Sequence, residues 1–201
     1  VDAPRFVTGT PGRVTASVTS VWPPVTATSS ARQVRSISRA MVSTTETLVP
    51  GGTRIVGWNH AIVGQSMIAG TAFEPFMVKD GVDATSVEGV SDTPYDIPNM
   101  GVTLHSPKSA ITSLWWRSVG HSHTAFATES FIDELAHAAK ADPVEFRRAL
   151  LTRQHRHRWV LELVAEKIGW ATPAPEGVGR GVAVHKSFES YAAAAVEVRL
   201  E

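Results

Sequence analysis

Along the second half of this chain the spacing of apolar residues changes from two to between three and four, and the change lays out the elements. From Arg54 to Val63 apolar and polar side chains alternate, which predicts a strand buried on one face, opened by a turn at Gly51-Gly52. Residues 64–100 are rich in Gly, Pro and Asp and predict an irregular excursion with short elements. Gly101–His105 and Ile111–Trp116 read as two strands joined by a turn around Ser106-Pro107-Lys108. From Thr124 to Lys140 the spacing is helical. Thr128, Phe131, Ile132, Leu135, Ala138 and Ala139 share one face, leaving Glu129, Asp133, Glu134, His137 and Lys140 for the other. Asp142-Pro143-Val144-Glu145 opens a second helix, to about Leu151: Asp142 can cap free backbone donors, Pro143 suits the first helical position and Glu145 can reach back to the cap. A third helix, about Arg156 to Ile168, carries Val160, Leu161, Val164, Ala165 and Ile168 as its stripe and ends at Gly169. Gly181–His185 and Ala193–Arg199 read as further strands. The expected class is α+β: a mixed or antiparallel sheet with a group of about three helices.

Residues 1–50 have a different texture. They hold five Arg, no Lys, seven Ser and nine Thr, with Asp2 and Glu46 the only acids. Such a stretch has little to bury and many groups that compete for backbone hydrogen bonds, so it predicts a poorly ordered segment with short extended pieces at best, and 51–201 the folded domain. Arg32, Arg35 and Arg39 have the spacing of a basic helical stripe, though a solvated face or disordered arm accounts for them better.

The overall balance excludes some functions. Nineteen Lys and Arg offset nineteen Asp and Glu, so no global field draws the chain to nucleic acid or an anionic membrane. Without cysteine the chain carries no disulfide, no thiolate zinc site and no iron–sulfur cluster of its own. No apolar run approaches the roughly 20 residues of a membrane-spanning helix, and Val1–Thr10 lacks the pattern of a signal peptide. The opening Val and the closing Arg199-Leu200-Glu201 within an expected strand suggest a piece of a longer protein. Bacterial cytoplasm and periplasm are both compatible with these features.

One ordered string of motifs remains. Leu114-Trp115-Trp116-Arg117-Ser118-Val119-Gly120-His121 leads into Glu129, Ile132-Asp133 and then Asp142-Pro143 with Phe146-Arg147-Arg148. Val63-Gly64-Gln65-Ser66, Val78-Lys79-Asp80-Gly81, Tyr95-Asp96-Ile97-Pro98-Asn99 and Gly179-Arg180-Gly181-Val182-Ala183-Val184-His185 accompany it. In order and spacing this resembles the large subunit of xanthine-oxidase-family molybdenum hydroxylases over roughly residues 54–201, nearest the isoquinoline 1-oxidoreductase beta-subunit and aldehyde dehydrogenase type. The resemblance implies a partial molybdenum-cofactor-binding domain and a molybdopterin, in its cytosine dinucleotide form, carrying molybdenum. It implies an iron–sulfur small subunit as partner, and a small aromatic or aldehyde substrate oxidised with water as oxygen source. Such a metal is held by the pterin, so the protein needs no Cys or His ligand. It supplies backbone donors, a polar or cationic side chain and an apolar wall.

By the same resemblance Arg117 is the arginine of an Arg-x-x-Gly loop beside the cofactor, with Ser118 in place of the usual glycine. Val119 stands where relatives place a substrate-packing aromatic, Gly120 closes the loop and His121 continues the wall. On the residues alone, Arg117 reads more readily as a surface arginine ending a strand. His121 and His123, alternating as on an extended segment, lack a third ligand of suitable spacing for a metal. His155 and His157 among Arg153, Arg156 and Arg158 read as a solvated helix start more readily than a phosphate grip, and Gly64-Gln65 reads as structural. The sequence shows no Gly-Gly-Phe-Gly loop, no Gly-Gln-Gly loop and no counterpart of the family's general-base glutamate, Glu189 standing in the wrong context. The chain alone is therefore expected to bind cofactor poorly and not to turn over. The competing expectation is a non-catalytic remnant or interaction domain, with open apolar surface around Trp115 and Trp116.

Overall fold

The computed structural model describes residues 35–44, 53–108, 110, 113, 114 and 116–199. Strand β1 (Arg35–Thr44) runs antiparallel to β2 (Thr53–Val63), with a bulge between Met41 and Val42. β1 falls inside the Ser/Thr/Arg-rich segment, where it is a ten-residue strand. Arg35 and Arg39 therefore lie on extended backbone rather than on a helical stripe, and Arg32 is outside the described residues. β2 is the strand that the period of two predicts. Its Ile55, Trp58, His60 and Ile62 are buried while Asn59 and Val63 are exposed.

The excursion that follows is short-range structure held by side chains. It contains helix α1 (Glu74–Met77), the two-residue strands β3 (Val78–Lys79) and β4 (Val82–Asp83), and one 3-10 turn at Ala84–Ser86. Buried Asp83 accepts from the Ser66 hydroxyl at 2.6 Å and from the Thr85 amide and hydroxyl at 2.9 and 2.6 Å, tying residue 66 to the turn at 84–86. β5 (Met100–His105) then pairs parallel to β2, which makes the three-stranded sheet mixed. In the expected second strand Ser113, Leu114 and Trp116 have no strand geometry, and Ile111, Thr112 and Trp115 lie outside the described residues.

Helix α2 (His121–Ala138) begins three residues earlier than its apolar stripe suggests. Helix α3 (Pro143–Leu150) starts where Asp142 accepts from the amides of Val144 and Glu145 at 2.9 and 3.0 Å. Glu145 does not reach back to the cap; it pairs with Arg148 one turn on. Helix α4 (His155–Ile168) stops at Gly169, whose φ of 69° is the left-handed conformation that glycine adopts without steric cost. β6 (Val178–Ser187) and β7 (Ser190–Arg199) form an antiparallel hairpin, turned by Phe188 and Glu189 with φ of 48° and 60°.

The core lies between β2, the three longer helices and β6: Ile55, Trp58, Phe131, Leu135, Leu161 and Val182 belong to it. Trp58 meets Phe131 edge to face at 5.0 Å, joining the sheet to α2. At the centre of the helix group sits a fully buried arginine. Arg147 on α3 donates from Nε to the Glu129 carboxylate at 3.0 Å and from Nη2 to the Glu129 carbonyl at 2.9 Å, and also reaches Asp133 and the Pro143 carbonyl. Glu129 in turn accepts from the Tyr95 hydroxyl at 2.7 Å and the Val184 amide at 2.9 Å. Glu129 and Asp133, assigned to the polar face of α2 by periodicity, thus turn into the protein. The reason is tertiary: one buried cation collects them. Burial works against the Arg147 charge, but Glu129, Tyr95 and Asp133 more than offset it and hold its pKa above the ordinary arginine value.

Candidate functional site

The turn from Trp116 into α2 is the segment the sequence singles out. It closes with the Val119 amide donating to the Trp116 carbonyl at 3.0 Å, and the helix follows directly as His123 and Thr124 donate to the Gly120 carbonyl. Val119 has φ of 48°, a conformation that costs a β-branched residue on the order of 1–3 kcal/mol unless its surroundings impose it. Arg117 is exposed and has no ion pair among the described residues, and the Ser118 hydroxyl is 2.6 Å from that of Ser122. Leu114 and Trp116 beside it are about four-fifths exposed, at 82% and 81%.

What imposes the turn is the segment 85–92 packed beneath it. A Cβ on Gly120 would stand 2.2 Å from the Thr85 carbonyl oxygen and 3.3 Å from Glu88, so only glycine fits. The Thr124 hydroxyl donates to the Glu88 carbonyl at 2.6 Å, and the Gly120 amide acts to lower the Glu88 pKa. Gly89, at φ of 82°, passes so close that a Cβ there would lie 2.7 Å from both His121 Nδ1 and the Thr124 hydroxyl. The approach that a glycine permits is thus filled by the protein's own backbone, not left open at the turn.

His121 is on the first turn of α2, not on extended chain, so His123 does not share its direction. His121 Nδ1 lies 2.8 Å from His185 Nε2 of β6, one ring donating and the other accepting, and His121 Nε2 is 3.8 Å from Glu88. Burial raises the Glu88 carboxyl above its usual range, opposed by His121 and the Gly120 amide. Burial also lowers the His185 pKa, with His121 adding to it. A polar cavity of about 220 Å³ opens here, ringed by Glu88, Asp92, His121, Lys186, Phe188 and Glu189. A second, apolar groove of about 420 Å³ runs between α2 and the β6–β7 hairpin past Phe126, Val182, Val184, Ala193 and Val196, and His185 borders it. Of the five predicted site residues His121 lines the polar cavity, Gly120 is buried against residues 85–88, and Arg117 faces solvent with Ser118 and Val119 partly covered.

Sequence reasoning did not single out Glu88, His185, Glu129 or Arg147. Glu129, Arg147 and His185 were present within the ordered motifs, without a role. Glu88-Gly89 had no local signal beyond an acid before a glycine. The basic cluster at the start of α4 does not converge on a phosphate. Arg153 grips Asp96, Arg158 grips Glu162, and His157 is buried edge-on to Tyr191 with a ring distance of 4.8 Å. Among the described residues no group of three or more His, Asp or Glu could hold a metal ion, and no helix is long and apolar enough to cross a membrane.

Residues 75–151, which hold the turn and the two helices that follow it, match the molybdopterin cofactor-binding domain. Its curated relatives include the isoquinoline 1-oxidoreductase beta subunit of Brevundimonas diminuta, 28% identical over 71% of this chain and 18% of the relative. They also include a subunit of the nicotinate dehydrogenase of Pseudomonas putida, 36% identical over 50% of this chain and 10% of the relative. The membrane-bound aldehyde dehydrogenase of Gluconacetobacter polyoxogenes is 34% identical over 34% of this chain and 11% of the relative. Among solved structures, the aldehyde oxidoreductases of Desulfovibrio gigas and Desulfovibrio desulfuricans align over 76% of this chain and 18% of their own, with TM-scores of 0.45 and 0.47 at 16% and 14% identity. The chain's resemblance to xanthine-oxidase-family molybdenum hydroxylase large subunits is thereby shown, and it spans less than a fifth of the length of these relatives.

Proposed function

We propose that the chain serves as one section of the large subunit of a molybdenum-dependent oxidoreductase and contributes the Arg117–His121 turn to its molybdopterin site. The observation that carries this reading is the family match over residues 75–151, because that stretch contains both the turn and the 85–92 segment that seats it. The residues fit an anionic group through side chains rather than backbone. The Val119 amide is spent within the turn and Gly120 is buried against residues 85–88, whereas Arg117 is exposed and Ser118 is half-buried with its hydroxyl beside that of Ser122. Arg117 would meet negative charge on the cofactor or on the oxygen developing from substrate, and the strained Val119 would pack against the substrate. The bound molybdopterin would supply the redox chemistry, hydroxylating an N-heteroaromatic or oxidising an aldehyde with oxygen from water.

The relatives are named as subunits of larger enzymes, and an iron–sulfur small subunit is the proposed electron acceptor. The cytosine dinucleotide form of the cofactor is part of the same proposal. So is inactivity of the 201 residues alone, which lack a general-base glutamate in family context. Metal and pterin analysis tests both parts. Co-expressed as a full subunit with its partner, the protein is expected to carry near-stoichiometric molybdenum, and Arg117→Ala to lower it or the turnover. The isolated chain should carry little, and stoichiometric molybdenum in it would refute the claim of inactivity.

A second reading, a non-catalytic interaction domain, draws on the exposed Leu114 and Trp116 beside Arg117. It predicts a full subunit free of molybdenum that nevertheless binds a protein partner through those two side chains.

A further inference from the structure

The rings of His121 and His185 meet over Gly89. His121 Nδ1 lies 2.8 Å from His185 Nε2, and the ring planes cross at 73°. A Cβ on Gly89 would stand 2.7 Å from the same Nδ1 and 3.0 Å from His185 Cε1, so the contact needs a residue without a side chain there. Burial, and after it His121, hold the His185 pKa down, so His185 is neutral at neutral pH and carries one ring proton.

Two directions are open for the hydrogen bond, and the far side of the His121 ring separates them. His121 Nε2 faces Glu88 Oε2 at 3.8 Å. That oxygen is buried and has no hydrogen-bond partner among the described residues. Other charges ringing the same cavity are engaged elsewhere: Asp92 accepts from the Gly89 amide at 2.9 Å, and the Lys186 ammonium pairs with Glu189 at 2.7 Å. If His121 donated from Nδ1, the bare lone pair of its Nε2 would point at a carboxylate oxygen, and two acceptors would oppose each other in a partly dry place. If His185 donates instead, His121 keeps its proton on Nε2 and offers Glu88 an N–H.

We propose that His185 is the positioning residue of His121. Its Nε2–H donates to His121 Nδ1, which fixes the ring and turns an N–H donor, not a lone pair, toward Glu88 and the polar cavity. At this wall His121 gives a hydrogen bond and does not take a proton through Nε2, so it is not a general base toward a ligand in the cavity. A ligand that enters beside it must bring an acceptor atom. The hold comes from β6, 64 positions along the chain, so the hairpin sets the direction of a ring that the turn carries. This inference rests on reading the Arg117–His121 turn as a ligand-facing wall, but its test does not need the cofactor.

The test is nitrogen NMR of the histidine rings in the full chain at about pH 8, where ordinary histidines are neutral. Loss of signals in His121→Gln and His185→Gln assigns the two rings. The expected result is a proton on Nε2 of each ring and a scalar coupling from His185 Nε2 to His121 Nδ1 across the hydrogen bond. In His185→Phe, which keeps a flat ring and removes the donor, the His121 Nδ1 resonance is expected to move toward that of a free lone pair. His185→Gln places an amide donor near the lost Nε2 and should restore most of that shift. A proton found on His121 Nδ1 in the parent would overturn the proposal, whatever the variants do. So would an Nδ1 resonance unchanged by phenylalanine, or a shift that glutamine does not restore. A full subunit that holds no molybdenum would defeat the reading of function and leave the assignment of the ring proton standing.

Discussion

Two arginines on neighbouring elements of this protein are put to opposite uses. Arg147 is wholly buried and its guanidinium is surrounded by Glu129, Asp133 and the Pro143 carbonyl. Arg117 is exposed and free of ion pairs among the described residues. The first joins α2, α3, β6 and the segment at Tyr95 into one unit through Glu129. The second is carried on a turn whose strain and packing are absorbed by Val119, Gly120 and residues 85–92. A cation consumed by the fold cannot recognise a ligand, and a cation left unpaired contributes little to stability. The pair therefore separates what holds the domain together from what it offers to its surroundings.

The sharpest way to break this comparison is at Arg147. Its replacement by Met would leave Glu129 charged and buried with its main partner gone, which costs about 3–5 kcal/mol. Chemical denaturation should show this loss, and a variant within about 1 kcal/mol of the parent would mean that the network is not central to the fold. Acid should come next. Burial and then His123 hold His60 down to a pKa of about 4, against an ordinary histidine value of 6.5 in the unfolded chain. A depressed pKa gives stability that is complete above the unfolded value and is lost as pH falls through the folded one. His60 alone then accounts for a loss of roughly 3 kcal/mol between about pH 6.5 and pH 4. His123, His157 and His185 are lowered too, so they act in the same direction. A melting temperature flat across that window in the parent, or unaltered in its slope by His60→Gln, would contradict this.

At the turn itself smaller effects are expected. Gly120→Ala drives a methyl into the Thr85 carbonyl, and the forced shift of the helix start should cost about 1–3 kcal/mol. Calorimetry showing no change would indicate that the turn lifts off residues 85–88 easily. Arg117→Ala is the other end of the comparison: it should move stability by no more than about 0.5 kcal/mol while lowering the cofactor content of the full subunit. A large loss of stability in that variant would show that Arg117, like Arg147, belongs to the fold.

Much of this architecture could be read from local pattern. The strand at 54–63, the helices at 124–140, 142–151 and 156–168 and the two C-terminal strands all appear within a few residues of their expected limits. Each rests on a nearby cause: alternation in β2, the Asp142 cap on α3, the left-handed Gly169 after α4. Local pattern was weaker at 111–116, where a run of apolar residues looked like a strand but Ser113, Leu114 and Trp116 have no strand geometry. It also assigned Glu129 to the water-facing side of α2, because periodicity scores a residue by type and cannot see a partner 18 positions away.

Local pattern was enough for most of the longer elements after residue 53, for the α+β class and for the ordered motifs that resemble a molybdopterin-binding section. Those depend on interactions within a few residues or on residue identity, both visible in one dimension. Which charges are interior and which are presented follows from contacts between elements far apart in the chain. Glu88 lies beneath Gly120, His121 meets His185 across 64 positions, and Arg147 draws Glu129 inward while Arg117 stays out. The physical reason is that a charged side chain is stable in the interior only where partners from other elements meet it, and no spacing along the chain announces such a meeting.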